Sequence, residues 1–139
     1  PISFKEQNTI YHRSRIVVSV NNLHARYFFS NRLPIALSSG AVVVHNYEEG
    51  MEEVFDQLRN PFFFRTTEEA WDIVDRLLGR DQEELNELSL ESRDFALRHL
   101  TMPHIMGYMV SVLRDYKVAQ ENGGTPRVAV NPWIRCNLL

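Results

Sequence analysis

The residues with the types and spacing to do chemistry lie close together. Asn22, His24, Arg26, Asn31 and Arg32 fall inside a run, Gln7 to Tyr47, that contains no Asp or Glu. Cationic and amide side chains free of local carboxylates suit an anion, and an arginine fork matches two phosphate oxygens at once. A diphosphate is the natural candidate. His45, Arg13 and Arg15 share the run; the two arginines read as solvated or paired with carboxylates elsewhere, and a lone histidine such as His24 or His45 reads as structural. Ten of the chain's 18 acidic residues fall between Glu68 and Asp94, so the net charge of -3 conceals a locally positive region.

Two smaller groups flank this run. Ser38-Ser39-Gly40 has the look of a small-residue turn that lets a backbone approach a ligand, and equally of a helix end closed by Gly40. Glu48 and Glu49 follow a β-branched run, where a carboxylate can hold ribose or sugar hydroxyls, although paired acids in a first helical turn also complement the helix dipole. There is no Ser/His/Asp order, Cys/His pair, phosphate loop or complete GxGxxG, so nucleophilic hydrolysis and ordinary dinucleotide binding lack support. The aromatic groups Phe28-Phe29 and Phe62 to Phe64 read as core.

The elements that must position these residues follow from periodicity and caps. Ser3 with Glu6 predicts a helix to about Ser14, and Arg15 to Val20 a strand buried on both faces. Asn21 to Ser30 reads as a loop. Asn31 is expected to cap a helix that tolerates Pro34 in its first turn and ends at Gly40. Ala41 to Val44 is a second strand, and Asn46 with Glu49 is expected to cap a helix carrying Met51, Val54, Phe55 and Leu58. Phe62 to Phe64 is a third strand. Thr66 with Glu69, Asp81 with Glu84, and Thr101 open three further helices, the last of which carries Ile105, Met109, Val112, Leu113 and Tyr116 and ends at Asn122 to Gly124.

Strands alternating with helices predict an α/β fold, a Rossmann-like parallel sheet with a helical C-terminal layer. Residues 1–121 are expected to form this domain and residues 122–139 an irregular tail. Three strands make a small sheet, so part of the fold is expected upstream of Pro1, which in place of an initiator Met suggests a fragment or processed chain. In such sheets ligands bind at the carboxyl ends of the strands, which is where the loop from Asn22 to Arg32 begins.

The chain's 139 residues, 44% hydrophobic, suffice for one core. The acidic balance excludes a general nucleic-acid binder. The single cysteine, Cys136, cannot form an internal disulfide, which points to a reducing, cytoplasmic compartment, and no Cys/His spacing suits zinc. No apolar run is long enough to span a membrane, and a signal-peptide pattern is lacking at the start.

Three segments carry a family resemblance: Tyr11 to Val20 (YHRSRIVVSV), Asn31 to Val44 (NRLPIALSSGAVVV) and Glu49 to Phe55 (EGMEEVF). Together with Ser92 to Arg98 they resemble the C-terminal, nucleotide-sugar-binding domain of GT-B glycosyltransferases. The chain is similar to spore-maturation-type family-one-like enzymes and to the capsule-associated xylosyltransferase and protein O-glucosyltransferase family. The resemblance implies that Arg32 faces the diphosphate of a nucleotide-sugar donor, that Ser38 to Gly40 form the small-residue turn, and that no metal or other cofactor is needed. It also implies a partner domain, N-terminal to this one, that binds the acceptor and supplies the catalytic base. Many such enzymes place a ribose-binding Glu three residues after this arginine, and Ile35 stands there instead, leaving that contact to Glu48 or Glu49. The competing reading is a non-catalytic binding or assembly module that has lost donor binding and uses Glu68 to Asp94 as a partner surface.

Overall fold

The Ser3 and Glu6 pair closes as its spacing requires: the Glu6 N–H donates to Ser3 Oγ at 3.3 Å, and the Ser3 N–H donates to the Glu6 carboxylate at 2.8 Å. This box opens α1 (Phe4–Arg13) in a computed structural model that describes residues 3–56 and 58–124. The order continues β1 (Ile16–Ser19), α2 (Arg32–Ser38), β2 (Val42–Asn46), α3 (Met51–Val54), β3 (Phe62–Phe64), α4 (Thr67–Leu78), α5 (Gln82–His99) and α6 (Met102–Glu121). The strands form one parallel sheet in the order β1-β2-β3, with Ile16 opposite Val42 and Val44 opposite Phe62. The fold is α/β and Rossmann-like in part, as the alternation of elements predicts.

The valine-rich β2 is buried at every residue because it is the central strand. Successive side chains alternate between its faces. Val42 and Val44 meet Ile73 and Leu77 of α4 and Leu85 and Leu88 of α5, with Ile16, Phe62, Phe64 and Val74 packed around them. Fully burying a leucine such as Leu88 contributes roughly 1.5–3 kcal/mol. Helix α2 packs on β1 and β2, with Leu33, Ala36 and Leu37 buried. At the β3 side, Phe55 is ringed by Phe29, Phe63 and Phe95 at centroid distances of 5.6, 6.0 and 6.0 Å. Phe29 and Phe63, expected to be core, are half-buried and pack against the buried Phe55.

β1 departs from expectation. It lies at the sheet edge, leaving Val18 54% exposed, so its β-branched run does not mark burial on both faces. The helix expected from Asn46 to Leu58 shrinks to Met51–Val54, because Asn46 is the last residue of β2 and its side chain serves a loop.

Asn60, buried between β2 and α5, takes the place of a neighbouring strand where β3 has not yet begun. Its Oδ1 accepts from the Val43 N–H at 2.8 Å, and its Nδ2 donates to the Ala41 carbonyl at 3.2 Å and to Ser92 Oγ at 2.7 Å. Thr66 and Asp81 accept from the N–H groups of Glu69 and Glu84, as their spacing predicts. Thr101 makes no such cap; its hydroxyl bonds His104 Nδ1 at 2.7 Å.

The chain falls into two compact units that divide between Leu97 and Arg98. The second contains α6, on which Ile105 and Val112 are half-buried while Met109, Leu113 and Tyr116 are exposed. Of the tail expected over residues 122–139, residues 125–139 lie outside the described part. Among the described residues no helix is long and apolar enough to cross a membrane.

Candidate functional site

The carboxyl ends of β1 and β2 are held by two asparagines. Asn46 Oδ1 accepts from the Asn21 N–H at 2.6 Å, and Asn46 Nδ2 donates to Glu48 Oε1 at 2.7 Å. The same carboxylate oxygen accepts from His24 Nδ1 at 2.7 Å. Asn21 in turn accepts from the Ser30 N–H at 3.0 Å and donates to the Phe28 carbonyl at 3.1 Å, clamping both ends of the loop that carries Asn22, His24 and Arg26. Asn21, Asn46 and Glu48 are all buried, and burial of such groups is tolerated only with their hydrogen bonds made.

At the loop tip Tyr27 adopts a left-handed φ of 60°, and its N–H donates to the Glu49 carbonyl at 2.7 Å. Its ring lies over Gly50, itself at φ 90°, where a Cβ would come within 2.2 Å of the ring. Its hydroxyl donates to Glu53 at 2.8 Å, and that bond holds the phenol above its ordinary pKa. Gly50→Ala is expected to lower stability by about 1–2 kcal/mol through the strained φ and the displaced ring. Urea denaturation measures this, and an unchanged midpoint would show that the Tyr27 cover is dispensable.

The fold then sorts the cations. Arg26 reaches Glu49 at 3.3 Å and Glu53 at 3.8 Å, and stacks 4.8 Å over the Tyr27 ring. Its charge is answered within the loop. His24 is exposed but bound to Glu48. Among the described residues no carboxylate pairs with Arg32, which is exposed at the first position of α2. Asn22 is exposed, and so is Asn31, whose expected cap does not form: it already has helical dihedrals (φ -55°, ψ -18°), which keep its side chain from turning back onto the helix.

Beneath Arg32 lies a feature the sequence only hinted at. His45 is fully buried, and among the described residues neither ring nitrogen has a hydrogen-bond partner; Ser19 Oγ and Ser30 Oγ are likewise buried and unpartnered there. His45 stands opposite Ser19 across the β1–β2 pair. Burial lowers the imidazole pKa to about 4, against weaker opposing pulls from the Ser19 backbone and from Glu48; the Arg32 charge adds slightly to the lowering. His45 is thus neutral near pH 7 and offers one N–H donor and one acceptor.

Ser38, Ser39 and Gly40 do not join this group. The Gly40 N–H donates to the Leu37 carbonyl and the Ala41 N–H to that of Ala36, while both serine hydroxyls return to the Ile35 carbonyl. With Gly40 at φ 79° this is a Schellman helix end, which delivers the chain to the start of β2. Seven residues of helix are about 10 Å long, so the turn and Arg32 sit at opposite ends of the sheet.

Asn21, expected only to begin a loop, and Asn46, expected to cap a helix, are both central to the site. The available signal was an asparagine placed just after each β-branched run. A family model described as glycosyl transferase-like matches residues 1–111 of the chain. Neither the curated proteins nor the solved structures contain a match to it.

Proposed function

Because the chain belongs to the glycosyl transferase-like family, we propose that it holds the nucleoside diphosphate of an activated sugar at the carboxyl ends of β1 and β2, as the donor-binding half of a GT-B enzyme. One observation carries this reading: His45, Ser19 and Ser30 present buried polar atoms that have no partner among the described residues, beside an arginine that no described carboxylate pairs. Native proteins rarely leave such groups unsatisfied unless a ligand or ordered water meets them.

In the proposed reaction an acceptor oxygen bonds to the anomeric carbon of the donor as the carbon–oxygen bond to the diphosphate breaks. The electron pair leaves with the diphosphate, where the Arg32 charge offsets it, and the neutral His45, once its ring turns out of its buried place, supplies an N–H to the same anion. The acceptor's proton passes to a base on a second domain. Kinship with the spore-maturation-type or the O-glucosyltransferase-type enzymes, and work in a reducing cytoplasm, belong to the same proposal. The ribose contact falls to Glu48 or Glu49, whose present partners are His24 and Arg26.

Calorimetric titration of nucleoside diphosphates and their sugars tests this. Arg32→Ala is expected to weaken the preferred nucleotide about ten- to hundredfold, the effect of losing a charge-assisted hydrogen bond. An affinity unchanged by the substitution would sink the assignment. Ile35 in place of an acid, and an Arg26 already answered by Glu49 and Glu53, favour the second reading, a module without donor binding. That reading predicts no heat with any nucleotide.

A further inference from the structure

The entry ends of the strands carry a second polar surface, one that the donor reading leaves unused. A cavity of about 310 Å³ opens there, where α1 runs into β1 and α2 turns into β2, with α5 as its far wall. Arg13 and Arg15 stand on one side of it and Arg93 on the other, His12 lies near them, and no Asp or Glu lines it. Among the described residues no carboxylate pairs with any of these three arginines, although Arg26, Arg59 and Arg80 all have acidic partners.

This is not for want of acids nearby. Helix α5 carries five acids, of which Glu84, Glu87 and Glu91 pair with Arg59 or Arg80 and none lines the cavity. Its residues facing the cavity, Gln82, Asn86, Ser89 and Arg93, recur at helical spacing as a separate stripe without one carboxylate. Arg13 and Arg15, expected to be solvated or paired, are exposed, and they line the same cavity as Arg93, an arginine some 80 residues away. Like charges around one concavity repel until an anion enters, and a concave wall concentrates their field. The floor is apolar, formed by Val42 and Leu85.

We propose that this cavity binds a phosphate-bearing small molecule, at the end of the sheet opposite the donor edge. Its volume sits at the lower limit of small-molecule sites, roughly 300 Å³, which suits a sugar phosphate better than a whole nucleotide sugar. The guanidinium forks take the phosphate oxygens, and the apolar floor takes the body of the ligand. The proposal stands independently of the donor reading.

The test is a titration of the ¹⁵N-labelled chain with pyrophosphate, followed through its backbone amides. Ser39, Gly40, Asn86 and Ser89 are expected to shift together and saturate. Arg93→Ala and Arg13→Ala should each weaken that binding by about tenfold or more. Arg93→Gln, which keeps much of the side chain without its charge, should do the same, and unchanged amides elsewhere show that each variant is folded. Arg32→Ala should leave this set untouched and silence only shifts at Ser30 and Asn46, so failure of the donor reading shows as stillness at those two residues alone. No saturable shift at the strand-entry amides, or a shift that Arg93→Ala and Arg13→Ala leave unchanged, overturns the proposal.

Discussion

Asn46→Ala is expected to lower the free energy of unfolding by about 3 kcal/mol, the sum of one neutral buried hydrogen bond and one to a carboxylate. The Asn21 N–H loses its acceptor, and Glu48 keeps only His24 on the shared oxygen. Both groups belong to residues that are buried in the wild-type chain, where an unmade hydrogen bond is costly. The loop from Asn21 to Ser30 is tied to the end of β2 through this side chain, alongside its bonds to Glu48, Glu49 and Glu53, so nucleotide affinity should fall with stability. Asn46→Asp sharpens the test. It keeps an acceptor for the Asn21 N–H but sets a second carboxylate against Glu48, and it should be at least as destabilising near neutral pH, recovering as acid protonates the pair. Equilibrium urea denaturation of both variants decides the matter. A loss below about 1 kcal/mol in Asn46→Ala, less than a single buried hydrogen bond to a charge, would show that the loop is held by other contacts.

How far such a network is legible beforehand depends on the range of the interaction. Elements set by neighbours in sequence read well: the Ser3–Glu6 box, the caps at Thr66 and Asp81, and the β-branched runs of β1 and β2 all stand where local chemistry puts them. The failures are those of tertiary context. Nothing in Arg15 to Val20 says that β1 is an edge strand, because edge position depends on which strands follow. Asn46 has the spacing of a helix cap from Glu49, yet the Asn21 N–H, 25 residues away, claims its side chain. Arg26 looks like an anion ligand until Tyr27, turning at φ 60°, folds it back onto Glu49 and Glu53. Ser38 to Gly40 look adjacent to Arg32 in sequence, but one short helix carries them to the opposite end of the sheet. Arg93 carried no signal at all, since its relation to Arg13 and Arg15 exists only once the fold brings all three to one cavity. Fold class survives these effects because it averages over many local preferences, whereas a site depends on a few long-range ones.

His45→Val is expected to act in the other sense, raising stability while removing donor affinity. Valine extends the Val42–Val44 run and leaves no unpaired nitrogen where His45 has two, a gain of about 1–3 kcal/mol at pH 7. The gain should widen in acid. The wild-type imidazole has an ordinary value of 6.5 when unfolded and about 4 when folded, so between those values the unfolded chain takes up a proton that the folded chain refuses. The stability His45 contributes as a neutral group is complete above pH 6.5 and is lost as the pH falls through about 4. That loss is on the order of 3 kcal/mol over the window and is absent from the variant. The lowered pKa of His99 pulls in the same direction but is common to both proteins and cancels in the difference. Thermal unfolding of the two proteins across the window measures the divergence, and calorimetry with the preferred nucleotide measures the accompanying loss of affinity. A stability difference that stays constant with pH would mean that His45 is not held neutral by burial. Nucleotide affinity that survives the substitution would mean that the unpartnered ring serves no ligand. An increase in stability coupled to a loss of binding is the result that a buried histidine kept for a ligand requires, because a group retained for structure alone would be missed by the fold when removed.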